Sequence, residues 1–128
     1  MIYALADYTP DFKSALYIDP TATIIGNVIR ADFAPIIIGI NSNVQDNVSI
    51  HVDLDLPCDI GANVSIGHNA ILHSCCIDDN VIIGMGSVIL NNTKIAKNCI
   101  IGAGSLVTQK LPYEEGGFDY GLPCPNRT

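Results

Sequence analysis

Three histidines are the only imidazoles in this 128-residue chain, and two of them occupy matching places in it. His51 directly follows Ile50, and His73 directly follows Leu72. Imidazole serves as metal ligand or as acid and base near neutral pH, so what matters is whether the fold brings these rings together. His68 lies five positions before His73. Five cysteines (Cys58, Cys75, Cys76, Cys99 and Cys124) form no CxxC pair that would suggest a zinc ribbon or redox motif. They read as free thiols that pack as small hydrophobes.

The elements that must position the histidines show in a repeat. Aliphatic residues recur every six positions: Ile18 and Ile24; Ile38, Val44 and Ile50; Ile60, Ile66 and Leu72; then Ile77, Ile83, Ile89, Ile95, Ile101 and Val107. Three positions after ten of these anchors stands Asn or Gly: Asn27, Asn41, Asn47, Asn63, Asn69, Asn80, Gly86, Asn92, Asn98 and Gly104. Both types tolerate the positive φ of a sharp corner. Neither a helix nor strict strand alternation has a period of six, and a sandwich with regular turns would space its signals roughly 8–12 residues apart. The pattern predicts short strands, corners and stacked coils, each dependent on its neighbours for burial.

This pattern resembles the hexapeptide-repeat family, which implies an all-β, left-handed parallel β-helix with three hexads per turn. The repeats cover about residues 18–107, with a short irregular tail over 108–128, in a single domain spanning 1–128. The run VDLDLPCD stretches the step from Ile50 to Ile60 to ten positions, four more than a hexad. With those four discounted, His51 and His73 stand three hexads apart, which is one coil. The two rings should then stack about 5 Å apart, the spacing of paired strands, close enough to share a metal ion. His68 falls on a different side of the coil, which leaves a neighbouring subunit to supply it. A three-fold ring would hold three such sites, each with three imidazoles and a water, as in a catalytic zinc-type centre. The plainer alternative is unrelated surface or core histidines.

Composition narrows the field. Hydrophobic residues make up 48 % of the chain, yet aromatics only 6 % and tryptophan none, so the core is aliphatic. Six Lys plus Arg against 13 Asp plus Glu give a net charge of −7, which disfavours nucleic acid and anionic membranes. The most apolar stretch, Val81 to Leu90, holds two glycines and falls well short of the roughly 20 residues of a membrane helix. No secretory signal is visible in MIYALADYTP, so a cytoplasmic protein is expected.

The segments IRAD, NVQD, SIHVD, IGHNAILHSC, IGMGSVIL and IGAGSLV narrow the resemblance to the gamma-class carbonic anhydrase family. That resemblance implies a homotrimer with metal sites between subunits, and His51, His68 and His73 as ligands of a divalent metal, zinc first, with iron or cobalt as alternatives. It implies that Gln45 hydrogen-bonds the metal-bound water, that Arg30 and Asp32 form the Arg-x-Asp intersubunit pair, and that Asp46 is a second acid of that network. Tyr120, in DYGLP, resembles a tyrosine lining the pocket.

The chain also departs from the family pattern. The step from Ile24 to Ile38 is about two hexads shorter than usual. That implies either a shortened first coil, its anchors over different faces, or a segment closed up in the numbering. The position after Asp32 is Phe33, which carries no proton, while Asp53 and Asp55 in the loop after His51 are acids without that resemblance. Three functions are therefore weighed. The first is metal-dependent hydration of carbon dioxide, a small-molecule substrate. The second is acyl transfer or thioester hydrolysis on acyl-coenzyme A, against which three histidines, two of them coil-matched, argue. The third is a non-catalytic metal-binding trimer.

Overall fold

The computed structural model describes residues 16–109 and 115–119. The described chain is built from strands of two or three residues. The first coil contains β1 (Leu16–Ile18), β2 (Thr23–Ile24) and β3 (Val28–Arg30), and the second β4 (Ile36–Ile38), β5 (Asn43–Val44) and β6 (Ser49–His51). The third has β7 (Cys58–Ile60), β8 (Ser65–Ile66) and β9 (Ile71–His73), and the fourth β10 (Cys76–Ile77), β11 (Ile82–Ile83) and β12 (Val88–Ile89). The fifth has β13 (Lys94–Ile95), β14 (Ile100–Ile101) and β15 (Leu106–Val107), after which β16 (Phe118–Asp119) adds one more rung.

Every third strand pairs in parallel with the next, giving sheets β1-β4-β7-β10-β13, β2-β5-β8-β11-β14-β16 and β3-β6-β9-β12-β15. This is the three-sided solenoid of a left-handed hexapeptide β-helix, with about five turns. Strands this short cannot stand alone; their backbone groups are satisfied only by the coils on either side. Among the described residues there is no helix, and none therefore long and apolar enough to cross a membrane.

The anchors fill the middle. Ile38, Ile50, Ile66, Leu72, Ile89 and Ile95 are fully buried, and every other anchor from Val44 to Val107 is nearly so. Burying one such side chain contributes roughly 1.5–3 kcal/mol. Cys58, Cys75 and Cys99 join this core outside any disulfide, the first two with their sulfurs 3.8 Å apart, while Cys76 is only half-buried. Cys124 lies outside the described residues.

The corners turn as the Asn and Gly pattern requires: Asn41, Asn47, Asn63, Asn69, Asn80, Asn92 and Asn98 have φ between 56° and 62°, and Gly86 and Gly104 are also positive. Stacked corner amides bond to one another, Asn63 Nδ2 donating to Asn80 Oδ1 (3.1 Å) and Asn80 Nδ2 to Asn98 Oδ1 (3.3 Å). Asn27 departs from the pattern. The turn there falls on Gly26 (φ 64°), and the Asn27 side chain instead joins coils, donating to the Val44 carbonyl and accepting from the Val48 N–H.

The short step between Ile24 and Ile38 does not displace the N-terminal anchors, contrary to expectation. Ile18 pairs with Ile38 and Ile24 with Val44, and Ile29, five positions after Ile24, supplies the third side opposite Ile50. A hexad count passes over Ile29 because the spacing there is five.

Candidate metal centre

Arg30, His51 and His73 are successive rungs of one ladder at the ends of β3, β6 and β9. The two imidazoles stack as the repeat arithmetic requires, with ring centroids 5.1 Å apart. His51 Nδ1 and His73 Nε2 face each other at 3.1 Å. Two nitrogens bound to one tetrahedral ion at about 2.0–2.1 Å lie about 3.3 Å apart, so the facing pair already spans two vertices of such a site. The donor set fits a borderline metal such as zinc.

The outward nitrogens of the same rings face carboxylates. Asp32 Oδ1 lies 3.0 Å from His51 Nε2, and Asp53 Oδ2 lies 3.8 Å from His73 Nδ1. A carboxylate beside one imidazole nitrogen favours the proton there and leaves the other nitrogen free to coordinate; Asp32 does so at hydrogen-bond range, Asp53 through its charge at 3.8 Å. Arg30 holds Asp32 in a salt bridge of 3.1 Å, and its guanidinium also lies 2.9 Å from His51 Nε2. One tautomer cannot serve both contacts. With the proton on Nδ1, Nε2 accepts from Arg30; with the proton on Nε2, the ring donates to Asp32. Desolvation pushes the Asp32 carboxyl up, but its own backbone N–H, the Arg30 guanidinium and His51 outweigh it and hold the group below its ordinary range. Phe33, itself exposed, makes a T-shaped ring contact with His51, centroids 6.2 Å apart.

His68 sits elsewhere. It lies on the corner that precedes β9, whereas His73 ends that strand. Val44 pairs with Ile66, which sets Gln45 and Asp46 one coil from Gly67 and His68 on that same corner. Asp46 Oδ2 stands 3.5 Å from His68 Nδ1. The predicted site residues are thus divided between two corners of one face: Arg30, Asp32, His51 and His73 at one end, Gln45, Asp46 and His68 at the other. Among the described residues, no three metal-binding side chains of one chain converge. Tyr120 lies outside the described residues.

Two histidine–carboxylate pairings go beyond the sequence reading. Asp53 is placed by the irregular loop after His51, where the repeat is silent. The resemblance puts Asp46 in the Arg-x-Asp network, but within the chain it faces His68. The segments NVQD and IGHN carry a signal for that pairing, because Asp46 and His68 each stand two positions after an anchor and those anchors are one coil apart.

Known proteins bear directly on this arrangement. The family model for the bacterial transferase hexapeptide (six repeats) matches residues 57–91 and 77–109. Gamma carbonic anhydrase 2, mitochondrial, of Arabidopsis thaliana is 32 % identical over 92 % of this chain and 49 % of its own length. A carbonic anhydrase of Geobacillus kaustophilus is 39 % identical over 76 % of this chain and 60 % of its own. The chain belongs to the gamma-class carbonic anhydrase family of hexapeptide-repeat proteins. It spans about half to three fifths of those two curated relatives. A solved Bacillus cereus structure, provisionally named an acetyltransferase, is 35 % identical, with a TM-score of 0.60 over 92 % of this chain and 73 % of that one. The chain is thus similar to both anhydrases and an acyltransferase, and the histidine geometry must decide between them.

Proposed function

We propose that the chain is a metal-dependent hydratase of carbon dioxide that works as a cytoplasmic homotrimer, with neither nucleic acid nor membrane as partner. The observation that carries this reading is the facing His51–His73 pair, each ring backed by a carboxylate, on the same face as a third histidine beyond the pair's reach. His51 and His73 of one subunit and His68 of the next would hold a divalent ion, zinc first and iron or cobalt as alternatives. Such an ion acts as a Lewis acid and brings the ionisation of water near neutral pH. Arg30, 61 % exposed in the single chain, is free to reach across a subunit boundary while it holds Asp32. Gln45, beside His68, would orient the attacking oxygen, and Asp46 would fix the His68 ring. Phe33 lines the pocket with an edge that neither takes nor gives a proton. Proton export therefore falls to solvent and buffer, and added imidazole should raise the rate.

A second reading, acyl transfer on coenzyme A thioesters, draws on the Bacillus cereus likeness. It needs one basic histidine and gives no reason for a matched pair. Metal analysis beside a carbon dioxide hydration assay tests the choice. The proposal expects about one metal ion per chain and hydration that disappears on chelation. A fully metallated trimer with no hydration above buffer, as zinc or ferrous form, overturns it. A panel of acyl-coenzyme A thioesters would then separate acyl transfer from a non-catalytic metal-binding trimer.

A further inference from the structure

Ser74, between His73 and Cys75, is buried and has φ 43°. The other positive-φ corners are Asn or Gly, apart from the loop residue Asp55. A residue with a Cβ is strained in the left-handed region, and glycine would remove that strain. Such an outlier persists where the surroundings gain from it. What serine adds is a hydroxyl. Ser74 Oγ accepts from the Asp53 N–H (2.7 Å) and donates to the Leu56 carbonyl (2.9 Å), so one atom ties both ends of the Asp53–Leu56 turn. The Ser74 N–H donates to the His51 carbonyl at 3.1 Å, and that bond would survive a change to glycine.

The tied turn carries Asp53. Its Oδ2 accepts from Asn91 Nδ2 at 3.3 Å and faces His73 Nδ1, while His73 Nε2 faces His51. We propose that Ser74 is a positioning residue: its hydroxyl fixes the Asp53 turn so that the carboxylate keeps the His73 proton on Nδ1 and leaves Nε2 open for coordination. The inference rests on reading the histidine pair as a metal centre, but its first readout needs no metal.

The test records ring ¹⁵N shifts of His73 in the metal-free protein at a pH where the ring is neutral, for wild type, S74G and D53A. Zinc affinity by chelator competition and thermal stability are measured alongside. Wild type should show the Nδ1–H tautomer. S74G should move His73 toward Nε2–H and weaken zinc binding about tenfold to a hundredfold, the usual effect of losing an outer partner, while its melting temperature stays level or rises. D53A should do the same, and the double variant should be no worse than D53A alone, because Ser74 acts through Asp53. An unchanged His73 tautomer in S74G overturns the proposal, whether or not zinc binds. If S74G lowers the melting temperature, S74A, which removes the hydroxyl and keeps the Cβ, decides instead: an unchanged His73 tautomer in it overturns the proposal. A wild type that shows the tautomer change with mutation but binds no zinc would sink the metal reading and leave the positioning claim intact.

Discussion

The two corners that close one face of this solenoid are built differently. At the corner of Gln45, Asp46 and His68 the chain turns on Asn47 and Asn69, whose side chains bond at 2.6 Å, and it keeps the repeat's stride. At the corner of His51 and His73 the repeat is interrupted by the loop that begins at Val52, and the turn falls on a strained serine. The regular corner presents a single imidazole with a carboxylate beside it. The irregular one presents two imidazoles nose to nose with a carboxylate behind each. The repeat supplies a rigid frame, and the departure from it supplies the donor geometry. Neither corner has three ligands, so the proposed chemistry would need both, and they would meet only if a second copy of the chain brought its regular corner to the irregular corner of the first.

The largest effect expected is on metal content. His73→Ala should remove one of the two facing nitrogens and lower zinc affinity by more than about a hundredfold, beyond the outer-partner range; His68→Ala should remove the partner corner's ligand and act alike. Retention of full metal by either variant would break the division of labour between the corners. Since only neutral imidazole coordinates, acid should release the ion from wild type as well. Arg30→Ala should loosen the trimer and lower metal content together, as read by light scattering beside metal analysis.

Gln45→Ala, on the regular corner, should leave the metal in place and lower turnover by about tenfold to a hundredfold, taking an outer-partner loss as the scale. A loss of metal instead would make Gln45 part of the scaffold.

A smaller effect belongs to Asp32. Its carboxyl is held below the ordinary range, so its contribution to stability is fully present above the unfolded value near 3.9 and is lost as pH falls through the lowered folded value. Asp32→Asn should therefore cost a constant, small amount above about pH 5, and the gap to wild type should close below about pH 4. Denaturant titrations across that range would show it, with less separation in high salt. At the regular corner's turn, Asn69→Ala should cost about 1–2 kcal/mol for the left-handed backbone, and smallest of all, Asn69→Gly should be nearly neutral.

How much of this is legible in the sequence follows the same contrast. Anchors and corner residues carry the repeat, so the core can be read from spacing, and with the three hexads per turn that the family resemblance implies, so can the sheets and the stacking of His51 on His73. Ile29 escapes because its spacing breaks the hexad, and with it the third side of the first coil. The loop after His51 has no period, so nothing in its letters says that Asp53 turns back to His73 or that Ser74 holds it there. The pairing of Asp46 with His68 is legible in principle, since both stand two positions after anchors one coil apart, Val44 and Ile66.

The central claim is that each metal site takes His51 and His73 from one chain and His68 from its neighbour. It is tested most directly by co-expressing His68→Ala and His73→Ala chains and counting bound zinc. Each variant alone should bind none tightly. In a ring of three, every mixed trimer regains one intact site, so a random equal mixture should recover about a quarter of the wild-type zinc. Recovery near that fraction is the predicted result. A mixture as empty as its two parents, with mixed trimers verified by mass, would place all three ligands in one chain or none and contradict the account.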